Sequence, residues 1–148
     1  MDRAAVHKGR AGALSLGRAM SNSGLDDTIA GLLTGNIYQW GPFALVAALY
    51  LATNFLTEVM SNNATAALLA PVAIAAAEQV GMDPLPLLVT VAVAASASFM
   101  TPVGYQTNAM VYSAGRYRFV DFTKIGAPLS LIFWVVTSLA VPFLFGLV

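Results

Sequence analysis

The sequence predicts an all-α membrane protein, and three observations support this: charge is scarce, apolar stretches alternate with short polar turns, and one apolar stretch is interrupted by proline and glycine. Of the 148 residues, 58% are hydrophobic and 9% are charged, whereas soluble domains usually carry about 25% charged residues. So few charges cannot cover the surface of a compact water-soluble body of this size. Apolar surface must therefore face something other than water. The lack of cysteine excludes disulfides and thiolate metal sites, and the zero net charge gives no sign of nucleic-acid binding.

The pattern of apolar segments divides the chain into a polar amino-terminal tail, 1–11, and a transmembrane region, 12–148. The first part of this region predicts a short helix, a break at Ser21–Gly24 and an interfacial helix with Leu25, Ile29, Leu32 and Leu33 on one face. Together these make up 12–35. The remaining parts are a helical hairpin at 42–80, a broken helix at 84–113 and a terminal transmembrane helix at 126–148. This last helix contains no charged residue.

The basic residues indicate orientation. Between Thr28 and Gly115 there is no lysine or arginine, and Arg116, Arg118 and Lys124 then follow within nine positions. Because basic loops tend to stay in the cytoplasm, we expect this connector inside and the carboxyl terminus outside. The sequence therefore predicts a multi-pass protein of the cell inner (plasma) membrane.

The junction of the hairpin arms is the first candidate site. Asn54, Thr57, Glu58 and Ser61 fall at helical spacing and form a polar stripe that ends at the junction. If both arms cross the membrane, the junction is an ordinary turn in water, in which serine and asparagine are turn formers. If the hairpin is re-entrant, its tip lies inside the protein, where carbonyls can bind a cation and a helix amino terminus can bind an anion. Glu58 either orients the hairpin or hydrogen-bonds within it.

The second candidate site is a polar interruption of the third apolar segment, at Thr101–Thr107 and Asn108. Pro102 removes a helical hydrogen bond and Gly104 allows unusual backbone conformations. A broken helix at membrane depth is tolerated against protein or a water-filled cavity. The alternative is a plain proline kink whose hydroxyls bond back to the helix. The sequence has no serine–histidine pairing, phosphate-cradling loop or metal-ligand set, so it does not favour an enzyme.

At these two motifs the chain resembles a known family. The run from Phe55 to Glu58, followed by Ser61–Thr65 and Ala67–Val72, is similar to the second hairpin of the divalent anion–sodium symporters. These carry citrate, other dicarboxylates or sulfate, and they belong with arsenite-permease-like transporters. The run Ala94–Val103, with Asn108–Val111, resembles the broken helix that follows that hairpin. Both motifs occur in the family's order and spacing.

The resemblance implies that the hairpin tip and the broken helix bind the coupling ion and the substrate anion. Ser61, Asn62 and Gly104 are the residues expected to hold Na⁺, and no other cofactor is implied. The full set of expected binding residues is Ser61, Asn62, Asn63, Thr65, Thr101, Pro102, Gly104, Thr107 and Asn108.

Two departures from the family pattern bear on substrate and coupling. Asn63 stands where the family has threonine, which leaves sodium and proton open as coupling ions. Tyr105–Thr107 stand where dicarboxylate carriers have Thr-Pro-Pro, which favours sulfate or a similar inorganic oxyanion over a dicarboxylate.

One hairpin and one broken helix make up part of one inverted repeat, and such carriers need two repeats. We therefore expect a fragment of a larger carrier, whose partners are a small anion, the lipid bilayer, the missing amino-terminal half or a partner chain, and further copies in a homo-oligomer when complete. The alternatives are a non-transporting accessory subunit, a truncated remnant or an ion channel. A channel would favour rings of charge or a carbonyl filter, which the sequence does not show.

Overall fold

The computed structural model describes residue 12 and residues 15–115 and 117–147; the predicted tail at 1–11 and the basic residue Arg116 lie outside this part. In the described part the regular structure is helical, with no strand, which confirms the all-α prediction. Among the described residues, two helices are long and apolar enough to cross a membrane, and two more are apolar but shorter. The all-helical class is therefore confirmed, while the re-entrant path of the hairpin stays a prediction.

Within residues 15–115 and 117–147, seven helices and one short 3-10 turn follow one another. Their bounds are α1 at 15–23, α2 Leu25–Asn36, the 3-10 turn Tyr38–Trp40, α3 Pro42–Thr57, α4 Asn62–Val80, α5 Leu85–Ser96, α6 Gln106–Ala114 and α7 Phe119–Leu144.

The amino-terminal helix pair differs from prediction in its buried face. The break falls at Gly24, at the end of the predicted interval. In α2, Asp26 and Ala30 are buried, and Ile29 and Leu33 pack against the core, whereas Leu25 and Leu32 are exposed. The apolar side chains of α2 are thus divided between the protein core and the outside, because α2 packs along α4 rather than standing alone.

The core is formed where α5 packs against both hairpin arms, α3 and α4, and against α7. Small side chains allow this close approach, since Ala94, Ala95 and Ala97 are at most 2% exposed. The antiparallel contact between α3 and α7 is fixed by the Trp134 indole, which donates a hydrogen bond to the Ala47 carbonyl at 3.0 Å. This packing brings the ends of α3 and α5 together.

Helix α7 begins at Phe119, earlier than the predicted start at 126, so most of the predicted connector is its first turns. The Asp121 carboxylate accepts a hydrogen bond from the Arg118 backbone N–H at 2.8 Å and so caps the start of the helix. A hydropathy pattern does not detect a cap of this kind, so it placed the start of the helix too late. The helix ends at Leu144 rather than continuing to 148. Its outer face is apolar and exposed, which suits a surface in contact with lipid or protein. The exposed apolar side chains of this face are Leu131, Ile132, Val135, Val136, Leu139 and Phe143.

Candidate functional site

The site is built around an unwound stretch, residues 97–105, between α5 and α6. Sequence patterns placed the interruption at Thr101–Thr107, but the helix already ends at Ser96 and resumes at Gln106. The shift arises because side chains of neighbouring helices satisfy the backbone groups that the early end of α5 leaves free. Hence the unwound stretch is held by protein contacts and is not a plain proline kink.

Three side chains bind carbonyl groups at the end of α5 and in the unwound stretch. From α3, Thr57 donates its hydroxyl to the Ala95 carbonyl at 2.7 Å, and the Asn54 amide donates to the Ala97 carbonyl at 2.8 Å. From α6, the Asn108 amide donates to the carbonyls of residues 98 and 101, at 3.0 and 3.3 Å. The polar stripe on α3 therefore continues across to the broken helix.

Glu58 binds the amide groups of the same stretch. Its side chain is 6% exposed, and its carboxylate oxygens accept the backbone N–H groups of Phe99, Met100 and Thr101 at 3.0, 3.0 and 2.8 Å. The Ser98 hydroxyl donates to the same carboxylate at 3.4 Å. The sequence patterns left the role of Glu58 undecided, and Ser98 was not among the expected binding residues. The helical spacing of Glu58 with Asn54 and Thr57 was the signal that pointed to it.

Gly104 lies against the end of α3. A Cβ at this position would overlap the Ser98 hydroxyl oxygen and the Thr57 carbonyl oxygen. The Gly104 N–H donates to the Thr101 hydroxyl at 3.3 Å, and that hydroxyl donates to the Glu58 carbonyl at 2.7 Å. The loop can approach this closely only because position 104 has no side chain.

The hairpin tip lies beside this loop. Ser61 caps α4 by accepting the Ala64 N–H at 3.4 Å, and the Asn62 amide oxygen lies 3.1 Å from the Thr57 hydroxyl, which faces α5. Thr65 is fully buried, and its hydroxyl has no hydrogen-bond partner among the described residues. The first backbone N–H groups of α4 have no partner within the helix, because a helix leaves these donors free.

The structure brings together some of the expected binding residues and leaves others apart. Four of the expected residues contact the end of α3 or the unwound stretch: Asn62, Thr101, Gly104 and Asn108. Pro102 is buried in that stretch. The remaining residues lie elsewhere: Thr65 is buried within α4, and Ser61, Asn63 and Thr107 are exposed. In the described part of the chain, no hydrogen bond joins these last three to the unwound stretch.

A cleft of about 300 Å³ lies between α6, α7 and Phe99. Its walls are mostly apolar, and of the expected binding residues it includes only Asn108. Because the groups able to bind ions are at the hairpin tip and the unwound stretch, we do not assign the anion to this cleft.

The charges around the site favour binding by dipoles and neutral groups. No lysine or arginine occurs between Thr28 and Gly115, and the described residues contain no cluster of histidine, cysteine, aspartate and glutamate able to hold a metal. What remains are helix-end N–H groups, which suit an anion, and carbonyl, amide and hydroxyl oxygens, which suit a small hard cation.

Comparison with known proteins gives the same family as the motifs. Residues 11–147 match the citrate transporter family. An uncharacterized transporter of Synechocystis sp. is 47% identical over 136 residues, which cover 92% of this chain and 22% of the relative. Sodium/sulfate cotransporter 1 of Chlamydomonas reinhardtii is 38% identical, over 66% of this chain and 11% of the relative. A sodium-dependent dicarboxylate transporter of Staphylococcus saprophyticus is 34% identical, over 90% of this chain and 25% of the relative.

The chain therefore spans about a fifth of the length of curated relatives that it matches. The resemblance stated from the two motifs is confirmed, and the family to which it points is made up of transporters rather than enzymes. This chain belongs to the citrate transporter family.

Proposed function

We propose that this chain is part of a cation-coupled secondary carrier of a small divalent oxyanion. In this proposal the tip of the hairpin at 42–80 and the broken helix at 84–113 form one side of the binding site. The observation that carries the proposal is the unwound stretch 97–105, whose backbone groups are bound by side chains of α3 and α6. Carriers build their sites from discontinuous helices of this kind near the middle of the membrane.

For the anion, we propose the amino terminus of α4. The free N–H groups of its first turn and its dipole favour negative charge, and Ser61, Asn62 and Asn63 add neutral polar groups at the tip. The buried, unpartnered Thr65 hydroxyl supports this, because a buried hydroxyl usually finds a partner. The absence of lysine and arginine between Thr28 and Gly115 fits an anion that is bound tightly enough to be selected but can still be released.

For the coupling cation, we propose oxygen ligands from Ser61, Asn62 and the backbone at Gly104. Support comes from the bond between Asn62 and Thr57 and from the contact between Gly104 and the Thr57 carbonyl, which place both near the end of α3. Relatives named sodium/sulfate cotransporter and sodium-dependent dicarboxylate transporter favour sodium over a proton.

For the substrate, we propose sulfate or a similar inorganic oxyanion ahead of a dicarboxylate. Relatives of both kinds are similar to the chain. The preference rests on Tyr105–Thr107, which depart from the Thr-Pro-Pro of dicarboxylate carriers and begin α6 beside the unwound stretch.

The proposed carrier contains this chain as its carboxyl-terminal part. A second hairpin and broken helix from the rest of the protein, or from a partner chain, would complete the site. The apolar, exposed face of α7 suits the lipid bilayer of the plasma membrane or a second copy in a homo-oligomer.

Uptake by the full-length carrier tests the proposal. Purified protein in proteoliposomes would be offered radiolabelled sulfate, phosphate and dicarboxylates, each with an inward sodium gradient and with potassium in its place. We expect saturable, sodium-dependent sulfate uptake that exceeds uptake of the other anions. Uptake equal to that of empty vesicles for every anion would contradict the proposed function, and a preference for dicarboxylates would contradict only the substrate.

A further inference from the structure

Glu58 is a buried acid that has no basic partner among the residues that the structure describes. Its carboxylate is bound by three backbone N–H groups and one hydroxyl, all of them neutral. No ion pair involves it in the described part of the chain, and the nearest basic residues in the sequence, on either side, are Arg18 and Arg116. A buried charge is costly unless an opposite charge or sufficient hydrogen bonds compensate it.

The hydrogen bonds indicate that the carboxylate is ionised. Every group that contacts its two oxygens is a donor, and an ionised carboxylate is a pure acceptor. A protonated acid would need an acceptor for its own hydrogen, and of the described groups that contact the carboxylate only the Ser98 hydroxyl, at 3.4 Å, could accept it, by giving up its own donation. An ionised Glu58 places a negative charge at the end of α3, inside the protein.

This charge lies close to the proposed cation site. The Ser98 hydroxyl that donates to the Glu58 carboxylate is the group that a Cβ on Gly104 would overlap. The backbone carbonyl of Glu58 accepts from Thr101, whose hydroxyl in turn accepts from the Gly104 N–H. One side chain therefore separates the carboxylate from Gly104.

We propose that Glu58 is a positioning residue for the coupling cation. Its backbone-binding carboxylate holds the unwound stretch in the shape that presents the Gly104 backbone, and its negative charge favours a cation beside that backbone. The carboxylate is not itself a ligand, because its oxygens are already occupied by N–H and O–H donors. This inference rests on the proposed function, since it assumes that a cation binds at Ser61, Asn62 and Gly104.

Sodium titration of the full-length carrier tests the role of Glu58 by two measurements. The first is the sodium concentration that gives half-maximal uptake of sulfate. The second is the concentration that gives half-maximal thermal stabilisation of the purified protein, which reports cation binding without transport. The variants are Glu58→Gln, which removes the charge at similar size, and Glu58→Asp, which keeps the charge. Glu78→Gln is the matched control, because Glu78 is an exposed acid near the far end of α4.

We expect Glu58→Gln to raise the half-maximal sodium concentration about tenfold or more, because a unit charge one side chain away contributes on that scale. Glu58→Asp should stay within about threefold of the wild type, since its charge moves by only one methylene. Unchanged sodium dependence in Glu58→Gln overturns the inference, and so does an equal shift in both variants, which would indicate shape rather than charge.

If Glu58→Gln fails to accumulate, Glu58→Asp decides alone: a sodium response close to the wild type supports the inference and a tenfold shift overturns it. If the wild-type carrier takes up no anion, the proposed function itself is contradicted. If the wild type responds to sodium and Glu58→Gln responds in the same way, only the role of Glu58 is contradicted.

Discussion

Replacing Gly104 by alanine adds one methyl group where the structure has no room for it. The new Cβ would overlap the Ser98 hydroxyl oxygen and the Thr57 carbonyl oxygen and would lie 3.1 Å from the Ser98 Cβ. The serine hydroxyl can rotate away only by giving up its bond to Glu58. The Thr57 carbonyl belongs to the last turn of α3 and cannot move without moving the helix end.

The loop must therefore shift away from α3. Inserting a methyl group into a packed site costs about 1–3 kcal/mol. Since about 1.4 kcal/mol corresponds to a tenfold change, we expect sodium-dependent uptake by Gly104→Ala to fall about 5-fold to 150-fold. A second substitution, Ser98→Ala, should restore little of it, because the overlap with the Thr57 carbonyl remains.

The assay is initial-rate uptake by the full-length carrier in proteoliposomes, normalised to the amount of protein inserted. Gly35→Ala is the matched control, since a Cβ there meets nothing within 4 Å and alanine favours the helix in which it lies. The control should transport like the wild type. Wild-type uptake by Gly104→Ala would refute the close packing of the loop on α3.

Three further predictions follow from the same contacts. Gly126→Ala should lower the melting temperature of the full-length carrier in detergent by several degrees. The added Cβ would overlap the Phe99 carbonyl where α7 contacts the unwound stretch. An unchanged melting temperature would contradict that contact. Asn54→Leu should destabilise the protein by about 1–3 kcal/mol in denaturant unfolding, since it leaves the buried Ala97 carbonyl unpaired, whereas Gln39→Leu on the exposed turn should have little effect. The present chain alone in proteoliposomes should show background uptake only, because it supplies one hairpin and one broken helix; saturable sodium-dependent uptake would show that it is sufficient.

The sequence was sufficient to predict the helical elements because their signals are local. The hairpin arms and the final helix are marked by long apolar runs, and the break in the third apolar segment is marked by Pro102 and Gly104. The family motifs then identified the transporter family, which the comparisons confirm. The re-entrant path of the hairpin and the binding roles of its tip remain predictions.

What the sequence could not provide were contacts between segments distant along the chain. Glu58 and Thr101 are 43 positions apart, and nothing in either segment specifies that one carboxylate binds three successive N–H groups of the other. The early end of α5 depends on the same contacts, so the interruption was predicted too late in the sequence. The burial of Asp26 beside exposed Leu25 likewise follows from packing of α2 on α4 rather than from its own periodicity.

Orientation in the membrane can be tested through single cysteines, since this chain contains none. In a re-entrant hairpin, Gly41→Cys and Gly81→Cys at the outer ends of the two arms should react with an impermeant thiol reagent from the same side of the membrane. Asn62→Cys at the tip should then be protected from the reagent on the opposite side. Free labelling of Asn62→Cys from that side would show that both arms cross the bilayer, and labelling of Gly41→Cys and Gly81→Cys from opposite sides would show that only one arm crosses.

The most direct test of the central claim compares Asn62→Ala with Glu78→Ala in the full-length carrier. Asn62 lies at the hairpin tip against Thr57, whereas Glu78 is exposed and lies two residues before the far end of α4. Loss of a buried polar partner costs about 1–3 kcal/mol, so we expect sodium-dependent sulfate uptake to fall at least about fivefold in Asn62→Ala and to stay at the wild-type level in Glu78→Ala. Equal uptake by the two variants at matched membrane levels would contradict a binding site at the hairpin tip.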